Sequence, residues 1–180
     1  MQRLLECVEG RSVALVGNSE GILSSNAGNQ IDSADLVIRM NRGLPDAMPK
    51  RLCGAIGMRT SVWATAKFWS DLVRPSDCGL IVWMKLTALG KLHLAKMLLS
   101  KPGCPVLLWT AEFEQECREF VGADPGTGIR LLWWLKVKAS PRSVSCYGMD
   151  CWERPSHWSG LRNTPNHSPE LEKQAMLRLL

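Results

Sequence analysis

The sequence predicts an α/β fold of three layers, α/β/α, around a mostly parallel sheet. Apolar runs of strand length recur along the chain, they alternate with segments of helix length, and several of them stop at small or polar residues. Continuous apolar strands mark a sheet buried on both faces, because βαβ crossovers lay helices over each side. Such sheets bind ligands at the carboxyl ends of their strands, near helix N-termini. The strand ends are therefore where function is to be sought.

The first strand is expected at Ser12–Val16, an apolar, β-prone run that stops at Gly17-Asn18-Ser19. The second, Leu36–Met40, stops at Asn41. A third covers residues 60–64 and leads into a polar-apolar stretch at 67–73. The fourth, 80–84, precedes an amphipathic segment at 86–99, and the fifth, 105–109, precedes a helix-length segment at 112–121. Residues 128–137 read as a helix, Ser143–Tyr147 as the sixth strand ending at Gly148-Met149-Asp150, and 169–180 as a terminal helix. Trp63, Trp69, Trp83, Trp109 and the pair Trp133-Trp134 fall on these elements and are expected in the core. Residues 42–57 hold Gly43, Pro45, Pro49 and Gly54, while 150–165 are rich in Pro, Ser, Gly and Trp; both read as loops. Loops of that length in a compact domain often carry function. A chain of 180 residues fits one domain, 1–180, with no internal repeats or low-complexity tracts.

The bulk properties exclude several classes. Hydrophobic residues make up 46% and charged ones 22%, the composition of an ordinary globular protein. The net charge of +5 is mild; it suits an anionic substrate such as a nucleotide, or weak peripheral association with an anionic membrane surface. The cations are scattered, without the basic-aromatic block of a nucleic-acid stripe, so no nucleic acid is expected as a partner. The first nine residues carry Glu6 and Glu9 and do not read as a secretion signal, and no apolar run approaches the roughly 20 residues of a bilayer span. Seven cysteines follow no disulfide framework and form no CxxC pair, and three histidines lack zinc spacing. Free thiols in a reducing cytoplasm are the expectation.

Four short constellations carry chemistry. Gly17-Asn18-Ser19 lets backbone approach a ligand, and the Asn18 amide offers both a donor and an acceptor to a base, ribose or phosphate; an ordinary strand-to-loop turn is the other reading. Around the second strand, Asp32, Asp35, Arg39, Asn41 and Arg42 stand in a row. A buried Arg39 needs an anionic partner, and an ion pair with Asp32 or Asp35 is expected. In Asp124-Pro125-Gly126-Thr127-Gly128, free amides at the start of a helix form an anion site, or Thr127 simply caps the helix. His157 and His167 lie in or beside the 150–165 loop, with Glu172 five residues after His167. A histidine near neutral pH serves as a general base or, protonated, binds phosphate. His93, on a helix among Leu and Lys, receives no role.

Taken in order, these elements resemble the four sialylmotifs of the eukaryotic-type sialyltransferases, glycosyltransferase family 29. Val13 to Ser19, through Ile31-Asp32, Asp35, Arg39 and Asn41-Arg42 to Gly57-Met58-Arg59-Thr60, resembles the large motif. Pro125 to Gly128, through Cys146-Tyr147-Gly148-Met149, resembles the small motif. His157-Trp158 resembles the third, and His167 with Glu172 and Lys173 the very small one.

The resemblance implies a Rossmann-like variant of the GT-A fold, a CMP-sugar donor, a glycan acceptor, inversion at the transferred carbon, and no metal or other cofactor. The sequence has no Asp-x-Asp motif of the kind that holds a divalent ion in metal-dependent relatives. By the same resemblance, Asn18, Ser19, Asn41 and Arg42 would contact the phosphate and ribose of CMP. Gly126, Thr127 and Gly128, with Gly148, would cradle the nucleotide. His157 would hydrogen-bond the departing phosphate, His167 would be the general base, and Glu172 would position it. Trp152 and Trp158 would be candidates to stack on the acceptor, or would pack the loop onto the domain. The sequence departs from the family at Val13 and about Ala139, where the usual disulfide cysteines are absent; at Gly126, where a serine is usual; and after Trp158, where an aromatic pair is reduced to one.

The donor sugar is expected to be sialic acid or a related keto-acid sugar such as Kdo. Two other readings stand beside this one. One is a CMP-binding module that has lost turnover. The other is an unrelated nucleotide-binding α/β enzyme, against which the lack of a Gly-x-Gly-x-x-Gly loop and of a P-loop argues.

Overall fold

A computed structural model describes residues 2–67, 78–85, 87–100, 103–157 and 167–180. Among them lie α1 (Gln2–Val8), β1 (Ser12–Val16), α2 (Gly28–Ser33), β2 (Leu36–Met40), α3 (Cys53–Ile56), β3 (Val62–Thr65) and β4 (Leu80–Trp83). They continue with α4 (Ala88–Ser100), β5 (Val106–Leu108), α5 (Ala111–Val121), α6 (Thr127–Val137), β6 (Ser143–Tyr147) and α7 (Pro169–Leu179). The strands form one six-stranded sheet in the order β5-β4-β3-β2-β1-β6. Every neighbouring pair is parallel, with Val13 opposite Leu36 and Val144 in the central registers.

Side chains alternate across β1, and the two faces of the sheet bury different helices. Val13 and Leu15 join a core with Leu4 and Val8 of α1, Cys117 and Val121 of α5, Trp134 of α6, and Ala175 and Leu179 of α7. Ala14 and Val16 face the other way, onto Ile22, Ile31 of α2 and Ile56 of α3. On that second face Trp63, Ile81 and Trp83 pack with Leu44 and Met97 of α4. Helices on both faces explain why the central strands are continuously apolar rather than alternating. Trp63, Trp83, Trp109 and Trp134 are fully buried and Trp133 nearly so, as expected; Trp69 lies outside the described residues. No helix among the described residues is long and apolar enough to cross a membrane.

The six expected strands are the six observed, and their parallel order confirms the predicted class. The third is shifted along the chain, from 60–64 to Val62–Thr65, though Ser61 N–H already donates to Val37 O of β2 at 2.9 Å. The short α2 and α3 are additional. The 42–57 loop holds two 3-10 turns, at Pro45–Ala47 and Lys50–Leu52, before α3. These pieces are too short to show helical periodicity in a sequence.

The expected ion pair of Arg39 with Asp32 or Asp35 is replaced by another arrangement. Arg39 is fully buried, and its Nε and Nη2 donate to the carbonyl oxygens of Arg59 (2.8 Å) and Ile56 (2.7 Å). Asp32 instead accepts from the backbone N–H groups of Met58 and Arg59. Asp35 accepts from Ser12 and from Arg142. The stretch 56–59 thus folds back over β2 and offers backbone carbonyls to two of the three guanidinium nitrogens, one of the ways a buried charge is tolerated.

Candidate active site

Successive strands step away from β1 toward β5, and then β6 is added on the other side of β1. This switch in direction leaves a crevice at the carboxyl ends of β1 and β6, the usual ligand position in open parallel sheets. A cavity of about 1150 Å³ opens there. That exceeds the roughly 300–1,000 Å³ of most small-molecule pockets, so there is room for more than one substrate.

Two glycines form its floor. A Cβ on Gly17 would lie 2.3 Å from the Gly148 carbonyl oxygen, so the ends of β1 and β6 approach as only glycine permits there. Gly148 itself takes φ +60°, the left-handed region that favours glycine. The close approach lets Gly17 N–H donate to Tyr147 O and Ser19 N–H donate to Gly148 O.

Asn18 and Ser19 follow directly. The Asn18 Nδ2 donates to Met40 O at 3.2 Å, while its Oδ1 is buried without a hydrogen-bond partner among the described residues. A buried acceptor left open on the wall of a cavity is suited to a ligand donor. Ser19 Oγ accepts from Gly21 N–H and donates to Asp150 Oδ2 at 2.5 Å, tying β1 to the loop after β6. Asn41, at φ +50°, turns the chain at the end of β2; its carbonyl accepts from Trp63 Nε1 and its Oδ1 from Ala66 N–H. All three line the cavity.

The start of α6 forms the opposite wall, where Gly126, Thr127 and Gly128 line the cavity. The cap is Gly126, not Thr127, and no side chain caps the helix. A glycine at the cap allows close packing, since a Cβ there would lie 3.1 Å from Glu172 Oε2 and 3.2 Å from the Trp152 ring. Gly126 N–H donates to Glu172 Oε1 at 2.7 Å. Helix dipole and first-turn amides then present positive potential to the cavity.

His167 enters from just before α7. Its Nδ1 lies 3.0 Å from Asp124 O and 3.4 Å from Glu172 Oε1. A carbonyl only accepts, so the proton sits on Nδ1 and the Nε2 lone pair is left for the cavity. The ring stacks on Trp152 at 5.0 Å and 11°. Trp152 in turn donates from Nε1 to Glu172 Oε2 at 3.1 Å, so one indole face is spent on His167. Cys151 and Trp152 both take positive φ, 51° and 70°, an uncommon conformation for bulky residues that aims the indole inward. Glu172 is 2% exposed. Burial pushes its pKa up, opposed by the Gly126 amide, His167, the Trp152 N–H and Arg130.

His157 is partly buried at the end of β1. Its backbone N–H donates to Asn18 O at 2.8 Å, holding residues 155–157 over the end of β1, but it is not among the residues lining the cavity. Burial, and then the Arg39 charge, lower its pKa from 6.5 to about 4, so it is neutral at pH 7. Stability should then fall as pH drops from about 6.5 to about 4, because the unfolded chain takes up the proton first. Chemical denaturation across that range should show this slope, and His157→Gln should flatten it. Arg42 likewise stands outside the cavity lining, and Trp158 lies outside the described residues.

The sequence reading missed an ion-pair cluster at the cavity. Arg130 grips both oxygens of Glu114 at 2.7 and 2.6 Å and reaches Asp124 Oδ1 at 2.9 Å. Arg118 joins Asp124 at 2.7 Å and Glu114 at 2.9 Å. The signal was the spacing of Glu114 and Arg118 on one helix face, and a cation in the first turn of α6, where the dipole opposes it. No cluster of three or more His, Cys, Asp or Glu side chains able to hold a metal ion is found among the described residues.

Comparison with known proteins supports the fold and, in sequence, the first of the motifs. Residues 6–66 match the model of glycosyltransferase family 29 (sialyltransferase). No curated protein matches the chain in sequence. A mammalian sialyltransferase crystallised with Gal-beta-1-3GalNAc-ortho-nitrophenol is similar at 20% identity and TM-score 0.69, over 99% of this chain and 68% of that one. A second structure of a mammalian sialyltransferase is similar at 22% identity and TM-score 0.67, over 99% of this chain and 67% of that one. The fold is that of the sialyltransferases. The resemblance read from the motifs is met in sequence over the first of them, and in fold along the whole chain.

Proposed function

We propose that this chain is an inverting, metal-independent glycosyltransferase, which moves sialic acid, or a related keto-acid sugar such as Kdo, from a CMP-linked donor to a glycan hydroxyl. The observation that carries the proposal is the placement of His167: Asp124 O holds its Nδ1–H, beside a helix N-terminus in a cavity roomy enough for two substrates.

The donor's CMP would lie across the ends of β1 and β2, with Asn18 Oδ1 and the Asn41 side chain toward ribose and phosphate. The amides of α6 at Thr127 and Gly128 would take up the charge that develops on the leaving phosphate. Nε2 of His167 would remove the proton from the acceptor hydroxyl as its oxygen attacks the anomeric carbon, opposite the departing CMP. The imidazolium formed would be stabilised by Glu172 Oε1 at 3.4 Å. Phosphate leaves readily, so orientation and charge stabilisation are most of the catalysis required. The free thiols suit a reducing, cytoplasmic setting, which belongs to the same proposal.

The test is acceptor-dependent release of CMP from CMP-sialic acid and CMP-Kdo, over a panel of glycans and with excess chelator. Release that needs an acceptor and survives chelation is expected. CMP binding without release over a broad panel would favour the non-catalytic module.

A further inference from the structure

We propose that Arg130 is a positioning residue that acts on His167 through Asp124. The inference rests on His167 being the base of the proposed transfer. Asp124 has two separate tasks. Its backbone carbonyl fixes the Nδ1 proton of His167 at 3.0 Å, and its carboxylate is held by Arg130 at 2.9 Å and Arg118 at 2.7 Å. The next residue is Pro125, which restricts the backbone of Asp124 to extended conformations. With the backbone so restricted, anchoring the carboxylate limits the movement of the whole residue, its carbonyl included.

The two arginines are not equivalent. The Arg118 side chain is 52% exposed, so water competes for its ion pair, whereas that of Arg130 is only 12% exposed. Arg130 is also the better anchored of the two. Its planar fork takes both oxygens of Glu114 on α5, and its backbone N–H donates to Gly126 O within α6. It sits in the first helical turn, where the dipole disfavours a cation, so this position is not explained by helix stability. Arg130 thus joins α5 and α6 to the one loop carbonyl that selects the tautomer of His167. The same guanidinium lies close enough to Glu172 to oppose the effect of its burial.

The test reads the tautomer directly. The chain has three histidines, so nitrogen-15 NMR of histidine-labelled protein is assignable with His93→Gln and His157→Gln. In wild type, once the ring has lost its second proton, His167 should be a single tautomer protonated at Nδ1. In Arg130→Met the signal should become a mixture of tautomers. Asp124→Asn, which keeps the backbone carbonyl but loses the charge, should move in the same direction and covers the case in which Arg130→Met fails to fold.

Where transfer is measurable, kcat should fall about tenfold to a hundredfold with the donor KM changed less than about twofold, the signature of a misaimed base. In a His167→Ala background, Arg130→Met should cost nothing further. An unchanged tautomer in both variants would overturn the proposal. Loss of CMP affinity with the tautomer intact would also overturn it, and would make Arg130 a ligand contact. The tautomer reading stands even if no transfer is found, so it separates this inference from the proposed function.

Discussion

Replacing His167 by alanine should reduce glycosyl transfer by about 10²–10⁴-fold, the usual worth of a general base. CMP binding should be nearly unchanged, because the groups proposed to hold the nucleotide lie on β1, β2 and α6. The imidazole is held by three contacts: the Asp124 carbonyl at Nδ1, Glu172 Oε1 beyond it, and the indole of Trp152 beneath it. Burst and steady-state rates with a CMP-sugar donor, alongside calorimetry with CMP, would check both halves. A His167→Ala protein that retains most of its rate would remove the base from the mechanism while leaving the donor crevice.

Replacing Glu172 by alanine should be the most damaging change to the architecture around the site. Its two carboxylate oxygens separately accept from Gly126 N–H at 2.7 Å and Trp152 Nε1 at 3.1 Å. Alanine would leave both donors without their acceptors and open a small void, at a cost of about 3 kcal/mol. For a chain of this size that corresponds to a drop of about 6–12 °C in melting temperature. Glu172→Gln separates the causes. A glutamine offers one acceptor oxygen for two donors, so it should lose part of that stability, about 1–2 kcal/mol. Thermal denaturation of wild type and both variants gives the comparison. An alanine variant as stable as wild type would mean that Glu172 does not tie α7 to the start of α6.

The sheet was legible because its signal is local. Leu36–Met40 and Leu80–Trp83 are uniformly buried strands, and a run of apolar residues bounded by polar ones declares them. The strand ends were legible for the same reason, and Gly17, Asn18, Ser19, Asn41 and Gly148 meet in one crevice. The motif order added His167 and Glu172, whose contact with Gly126 spans 46 residues and which no periodicity would have paired.

What stayed hidden depends on contacts distant in sequence. The lowered pKa of His157 follows from its burial at the end of β1 and from the charge of Arg39, which lies more than a hundred residues earlier. The carbonyl cage of Arg39 needs 56–59 to return across β2. The Arg130–Glu114 clamp depends on the packing of α5 against α6. Trp152 was noticed as an aromatic face for a sugar, and the structure uses one side of it for His167.

Calorimetric titration with CMP, CDP, UMP and ATP, on wild type and on Asn41→Ala, most directly tests the proposed cytidine-nucleotide site at the ends of β1 and β2. CMP should bind in preference to UMP and ATP, and Asn41→Ala should weaken it about tenfold, the worth of a hydrogen bond to a charged or ribose group. Equal affinity for all four nucleotides, or CMP binding untouched by Asn41→Ala, would contradict the donor site and leave the fold alone standing.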